Sequence, residues 1–135
     1  MVLREIIFRG KRTDDGEWMC GNLTVWSDGS TSIDKEPTEA SPLYAVIPET
    51  VGQYTGLTDK NGKKIFEGDI VSCKMWCGDE DDDGRKNWYI SFVDGSFVFD
   101  KKYYVHKKLS EHNINLYDIE VIGNIHDNKD LLEVK

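Results

Sequence analysis

The chain has few cysteines and no long apolar run. It contains three cysteines in 135 residues: Cys20, Cys73 and Cys77. An odd number of cysteines, without an export signal in residues 1–10, is not typical of a secreted disulfide framework. No segment approaches the roughly 20 apolar residues of a membrane-spanning helix. These absences predict a cytoplasmic protein with reduced thiols.

Basic residues are also in the minority. The chain has 17 Lys and Arg against 25 Asp and Glu, a net charge of −8. This balance repels a phosphate backbone at long range, so general coating of nucleic acid is disfavoured unless a local basic patch overrides it. The four Trp, six Tyr and five Phe residues need a core, which excludes a disordered chain. The length suits one domain, residues 1–135.

Alternating apolar residues between turn dipeptides predict a mainly β chain. The predicted strands cover residues 2–8, 18–26, 31–33, 43–47, 70–77 and 119–125. Many short strands with frequent turn signals are typical of a small barrel or roll built from hairpins. Residues 101–115 are compatible either with a helical turn or with a basic strand and loop. Residues 128–134 predict a short C-terminal helix with Asn128 or Asp127 as its N-cap.

The strongest hairpin signal lies in residues 88–100, with Asp94 and Gly95 at the tip. A two-residue turn places Phe92 opposite Phe97 and Ile90 opposite Phe99. All four side chains then share one face, which we expect to point toward the core.

Three segments carry a resemblance to a known family. They are VLREIIFRGK near the start, TVGQYTGLTDKNGKKIFEGDIV in the middle and IEVIGNIHDNKDLL near the end. Together they resemble the YopX family of small proteins encoded by bacteriophages and prophages. The resemblance implies a β-rich fold of the SH3-like barrel or roll type, and self-association. It supplies no catalytic residue, and it does not extend to residues 34–42 or 79–84.

The central segment carries the candidate binding residues. Polar side chains on a glycine-rich loop can form a binding surface, or they can hold the geometry of the turn. The candidates are Gln53, Tyr54, Thr55, Asp59, Lys60, Glu67 and Asp69. Glu67 and Asp69 would suit acid–base chemistry if their environments separated their pKa values. The favoured interpretation is a Gly-Asp turn in which Asp69 accepts backbone N–H bonds.

One stretch combines basic and aromatic residues. Interleaved Lys and Tyr side chains can grip single-stranded nucleic acid by phosphate contact and base stacking. The residues concerned are Lys101, Lys102, Tyr103, Tyr104, Lys107 and Lys108. The alternative is a solvated sheet edge on which lysines discourage aggregation, and the acidic net charge favours this alternative.

No metal, cofactor or catalytic site is predicted. The acids of residues 79–83 fit the first half of a calcium loop, but loop position twelve falls on Ile90, within a predicted strand. On one strand Cys73 and Cys77 would lie roughly 13 Å apart, too far to share an ion. The chain also lacks a phosphate-binding loop and a nucleophile elbow.

Three functions remain as hypotheses. The first is a phage or prophage accessory protein in the host cytoplasm, acting by protein–protein contact or as a homo-oligomer; an acidic DNA mimic is a variant of it. The second is a small β-barrel that binds nucleic acid through residues 101–108. The third, and least favoured, is an enzyme that uses Glu67 and Asp69.

Overall fold

The computed structural model of the chain describes residues 4–35, 41–74, 85–101 and 107–132. The chain divides into two compact units, Met1–Gly56 and Leu57–Lys135. The strands are β1 (Phe8–Lys11), β2 (Trp18–Val25), β3 (Thr31–Asp34), β4 (Tyr44–Val46), β5 (Gly52–Thr58), β6 (Lys64–Phe66), β7 (Asp69–Cys73), β8 (Lys86–Val93), β9 (Ser96–Asp100), β10 (Lys107–Lys108) and β11 (Glu120–Asn124). One α-helix, α1 (Glu111–Leu116), and two 3-10 helices, Pro48–Thr50 and Lys129–Leu132, complete the described elements. The prediction of a mainly β chain is confirmed.

The first unit is an antiparallel sheet in the order β4-β3-β2-β1-β5. Alternation along its strands directs one set of side chains inward, as period-two patterning requires. The buried members of this set are Met19, Ile33 and Val46. Leu23 lies opposite Ile33 in the β2–β3 ladder and packs against the same cluster.

The described strands form two sheets and no closed barrel, so the SH3-like barrel among the expected architectures is not found there. In the first unit, the end of β4 is linked to the residue after β1 by one β-bridge, between Val46 and Arg12. It is flanked by hydrogen bonds from Ile47 N to Lys11 O (2.8 Å) and from Thr13 N to Ala45 O (3.0 Å). A single bridge is too short to make a continuous ladder.

The second unit contains the end of β5, the strand β6 and a sheet in the order β10-β9-β8-β7-β11. Every residue of β7 is buried, and the strand is hydrogen-bonded on both sides, to β8 and to β11. The core of this unit has ten buried members: Ile65, Val71, Cys73, Trp88, Ile90, Phe99, Leu109, Ile114, Ile119 and Val121. Helix α1 begins after Ser110, whose side chain accepts the Asn113 N–H (3.1 Å), so part of residues 101–115 is helical.

The β8–β9 hairpin has the predicted register, with Phe92 opposite Phe97 and Ile90 opposite Phe99. Asp94 (φ 51°) and Gly95 (φ 82°) both have the positive φ of a type I′ turn. The core, however, ends before the tip: Phe99 is fully buried, whereas Phe92 is 54% exposed. The expectation that all four side chains face the core is therefore wrong for Phe92.

Several element boundaries also differ from the prediction. The first described strand is Phe8–Lys11, since its ladder to β2 starts at Phe8. Residues 4–7 of the strand predicted at 2–8 are not in a strand, and residues 2 and 3 lie outside the described part. The strand predicted at 70–77 is described as Asp69–Cys73, and Met75 and Cys77 lie outside the described residues. Of the helix predicted at 128–134, the described residues contain the 3-10 turn Lys129–Leu132, and residues 133 and 134 lie outside the described part. Asn128, a predicted N-cap, accepts the Asn124 N–H with its side-chain oxygen (3.2 Å).

Candidate functional site

Asp59, from the predicted binding set, holds the turn between β5 and β6. Its side chain is 5% exposed. Oδ1 accepts the backbone N–H groups of Asn61 and Lys63, both at 2.9 Å. Oδ2 accepts the N–H of Val121 on β11, also at 2.9 Å. The carboxylate is therefore occupied by the backbone, and the turn it holds is joined to the second sheet.

Lys60, the next residue, belongs to a cluster of charges around Asp118. Its Nζ lies 3.3 Å from Asp118 Oδ2 and 3.8 Å from Glu120 Oε2. Arg85 Nη1 contacts the same Asp118 oxygen at 3.0 Å. We call Lys60, Arg85, Asp118 and Glu120 the Asp118 cluster. It lies where the β5–β6 turn meets the segment between α1 and β11.

Arg85 is the most extensively bonded member of this cluster. Its Nε donates to Ser72 Oγ (2.7 Å), and its Nη2 donates to the carbonyls of Ser72 (3.1 Å) and Asp118 (2.9 Å). The planar guanidinium thus joins β7 to the turn before β11, a geometry that lysine cannot reproduce. Sequence reasoning missed Arg85, because its partners lie 13 and 33 positions away.

Asp118 has an unusual backbone, with a positive φ of 51°. The hydrogen bond from Arg85, followed by that from Lys60, lowers the pKa of its carboxyl group below the ordinary value. Since the side chain is 42% exposed, solvent screens these interactions and limits their contribution to stability. The cluster is a surface clamp in which each described charge has an opposite partner.

Glu67 and Asp69 lie on either side of the turn that opens β7. Asp69 is 2% exposed, and its Oδ2 accepts the Phe66 N–H at 2.7 Å. Gly68 between them has a φ of 91°, which favours glycine. Glu67 is only half-buried. This is the Gly-Asp turn geometry that the sequence favoured over acid–base chemistry.

Gln53, Tyr54 and Thr55 lie on β5 within the first unit. Tyr54 is buried, whereas its two neighbours are half-buried, as alternation along a strand requires. The Tyr54 N–H donates to the Ile7 carbonyl at 2.8 Å. The seven candidates are thus divided, three in the first unit and four in the second.

The basic and aromatic stretch is only partly described, since Lys102, Tyr103 and Tyr104 lie outside the described residues. Lys101 Nζ lies 5.5 Å from the centroid of the Trp88 ring. Lys107 Nζ lies 5.2 Å from that of Tyr117 and donates to its hydroxyl at 3.1 Å. Lys108 is exposed. The two lysines at aromatic rings are engaged within the second unit.

A second basic and aromatic group, in the first unit, was missed by sequence reasoning. Arg9 and Lys11 approach the Trp18 ring, with 4.9 and 5.5 Å to its centroid. Arg12 lies 4.4 Å from the centroid of the Tyr44 ring and pairs with Asp14 at 2.7 Å. The detectable signal was the alternation FRGKR in β1, which puts Arg9 and Lys11 on one side of the strand.

Within the described residues, no three His, Cys, Asp or Glu side chains are grouped so that they could hold a metal ion. The acidic residues 79–83 and Cys77 lie outside this range. Cys73 is buried in the core of the second unit, and Cys20 is exposed. No helix in the described part of the chain is long and apolar enough to cross a membrane.

Comparison with known proteins relates most of the chain to one family. No curated protein sequence matches it significantly. The crystal structure of protein EF1440 from Enterococcus faecalis is similar, with a TM-score of 0.60, 29% identity and coverage of 96% of this chain and 99% of that one. The crystal structure of protein yopX from Bacillus subtilis shares the fold, with a TM-score of 0.57, 20% identity and coverage of 96% and 97%. The family model described as YopX protein matches residues 7–133, and the chain therefore belongs to the YopX family.

Proposed function

We propose that the chain is a phage or prophage accessory protein of the host cytoplasm that acts through protein–protein contacts, including contacts with copies of itself, and not by catalysis. The observation that carries the proposal is Phe92, which is 54% exposed at the tip of a tight hairpin. Its ring packs edge-on against Phe97, with the centroids 5.1 Å apart and the planes at 63°. Aromatic side chains, phenylalanine included, are enriched at protein–protein interfaces relative to the rest of the surface.

The edges of the second sheet favour contact through side chains rather than through added strands. At β10, the Lys108 carbonyl accepts the Asn113 side-chain amide at 2.7 Å. Beside β11, Asp59 occupies the Val121 N–H and Lys60 N donates to the Ile119 carbonyl at 3.0 Å. A new strand would have to displace these bonds, so exposed side chains offer a less costly route to a partner.

The environment of the carboxylates supports a role without catalysis. Asp59 and Asp69 are both buried, and both accept backbone N–H bonds. A general acid or base needs access to a substrate proton. These two side chains instead stabilise turns, which leaves the enzyme hypothesis with only Glu67 of its original pair.

The test is the oligomeric state of the purified chain as a function of concentration, measured by light scattering after size exclusion. We expect a concentration-dependent increase in mass that Phe92→Ala reduces. Leu116→Ala is the matched control, because Leu116 is equally exposed, at 58%, but lies on α1. Affinity capture from phage-infected cells, repeated with both variants, tests for other partners. A strict monomer that retains no protein would contradict the proposal.

A further inference from the structure

The β2–β3 hairpin presents a face with an exposed tryptophan at one end. In its ladder Asn22 lies opposite Asp34 and Thr24 opposite Ser32. The backbone N–H of Trp26 donates to the Ser30 carbonyl at 2.9 Å, which extends the β2–β3 pairing to the turn. Because alternate residues point to the same side, five side chains share this surface. We call Asn22, Thr24, Trp26, Ser32 and Asp34 the hairpin face.

Trp26 is held in place but open to solvent. Its side chain is 46% exposed, and its Nε1 donates to Ser32 Oγ at 3.1 Å. The hydrogen bond fixes the orientation of the indole before any partner arrives, which lowers the entropic cost of binding.

Several other aromatic rings of the chain lie in cation–π contact with a Lys or Arg side chain of the same chain. Arg9 and Lys11 lie at Trp18, and Arg12 lies at Tyr44. In the second unit, Lys101 lies at Trp88 and Lys107 at Tyr117. No cationic side chain from the described residues lies over Trp26, although tryptophan is the strongest cation–π acceptor. Its ring is therefore available to a cation from outside.

The hairpin carries two carboxylates, Asp34 on the hairpin face and Asp28 in the turn. Among the described residues, none forms an ion pair with Asp34, which lies on the same face. At the turn, Asp28 Oδ1 accepts both the Ser30 N–H (2.9 Å) and the Ser30 hydroxyl (2.6 Å). These bonds lower the pKa of the Asp28 carboxyl group, so Asp28 is ionised at neutral pH. Asp34 pairs with Asn22, which lies four residues before Trp26 on the β2 side of the hairpin. Four residues of extended chain span about 13 Å.

We propose that the hairpin face binds an extended, lysine- or arginine-bearing segment of a partner protein, with one cation over Trp26 and a second, four residues away, at Asp34. The inference rests on the proposed function and specifies the chemistry of one partner. The net charge of −8 attracts such a segment at long range. The two carboxylates repel phosphate groups, so the same surface disfavours nucleic acid.

The probe is a synthetic peptide, Lys-Thr-Ser-Thr-Lys, in which the two lysines lie on one side of an extended chain. Binding is measured by NMR, from the shift of the Trp26 indole N–H signal, and by calorimetry. The control peptides replace both lysines by norleucine or by glutamate. We expect only the lysine peptide to bind and to move the indole signal.

Variants of the hairpin face then test the contacts. Trp26→Ala and Asp34→Asn should each weaken peptide binding about 3- to 5-fold, the size expected for an exposed cation–π contact or ion pair. Trp26→Phe keeps an aromatic ring and should lose less affinity for the peptide. It replaces Trp26→Ala in the test if that variant does not fold. Val25→Ala is the matched control, because Val25 is 65% exposed on the opposite face of the same strand.

The inference is overturned if the norleucine peptide binds equally well, if neither Trp26→Ala nor Asp34→Asn weakens binding, or if oligothymidylate binds in place of the lysine peptide. A captured partner that binds Trp26→Ala and Asp34→Asn as tightly as the native chain would overturn it while leaving the proposed function intact. If the chain binds the lysine peptide specifically but captures no protein from cells, the peptide-binding inference is supported and the proposed function is contradicted.

Discussion

Asp59 and Val121 are 62 positions apart and are joined by a hydrogen bond of 2.9 Å from the Val121 N–H to the Asp59 carboxylate. The same carboxylate holds the turn at Asn61 and Lys63. The most distinctive segment of the sequence therefore has a structural role, in which one buried side chain fixes a turn and connects it to β11.

Replacing Asp59 by alanine should destabilise the second unit by about 2–4 kcal/mol, because three N–H groups lose their acceptor in a buried site. Asp59→Asn keeps one carbonyl oxygen and should cost less. Urea unfolding measures the free energy of both variants. Asp130→Asn, at an exposed position, is the control. An Asp59→Ala variant as stable as this control would show that the three bonds contribute nothing.

Arg85 and Asp118 should be energetically coupled. A double-mutant cycle with Arg85→Ala and Asp118→Asn should give a small stabilising coupling, as for a partly exposed pair. Asparagine suits the left-handed backbone of Asp118, so the cycle avoids strain at that position. Arg85→Lys keeps the charge but not the bonds to Ser72, and should recover only part of the loss. Additive effects would contradict the clamp.

The pH dependence of stability should change when Asp118 is replaced. Arg85, followed by Lys60, lowers the pKa of Asp118 in the folded state. Its contribution is therefore fully present above the unfolded value of about 3.9 and is lost as the pH falls through the lower folded pKa. In Asp118→Asn, thermal unfolding scans should show a smaller loss of stability across this acidic window. Salt at about 1 M should reduce the difference between the two proteins, and identical pH curves at low salt would exclude the effect.

Two glycines of the first unit should differ in their tolerance of alanine. At Gly10 a Cβ would lie 3.1 Å from Val46 Cβ, and such overpacking costs about 1–3 kcal/mol. At Gly21 it would meet the backbone carbonyl of Asp34, which cannot move away as a side chain can. Chemical denaturation should show Gly21→Ala as the more destabilising change. The cost of Gly10→Ala should fall in a Val46→Ala background, and an unchanged cost would contradict the proposed overlap.

Short-range patterns were sufficient for part of the fold. Asp94-Gly95 between two apolar alternations predicted the β8–β9 hairpin with its register, because a two-residue turn allows one pairing in which the apolar sets coincide. The same patterns placed strands at Thr31–Asp34 and Tyr44–Val46 within one or two residues. These patterns could not distinguish the buried Phe99 from the exposed Phe92, since alternation places both side chains on the same face of the hairpin.

In the candidate site, too, some contacts could be predicted from neighbouring residues and others could not. The Gly-Asp turn at Asp69 was favoured from local residues alone, because its hydrogen bond to Phe66 spans three positions. The link from Asp59 to β11, the bonds of Arg85 and the cations at Trp18 were not accessible in this way. Each depends on residues brought together by strand pairing.

The family, the mainly β class and the positions of tight turns were all contained in the order of residues, because turn chemistry and side-chain alternation act over a few neighbouring positions. Which carboxylates are buried, which aromatic rings carry a cation and which ring remains open were decided only when distant strands paired. Burial and electrostatic contact depend on spatial proximity, and no local pattern encodes the separation between Asp59 and Val121 or between Arg9 and Trp18.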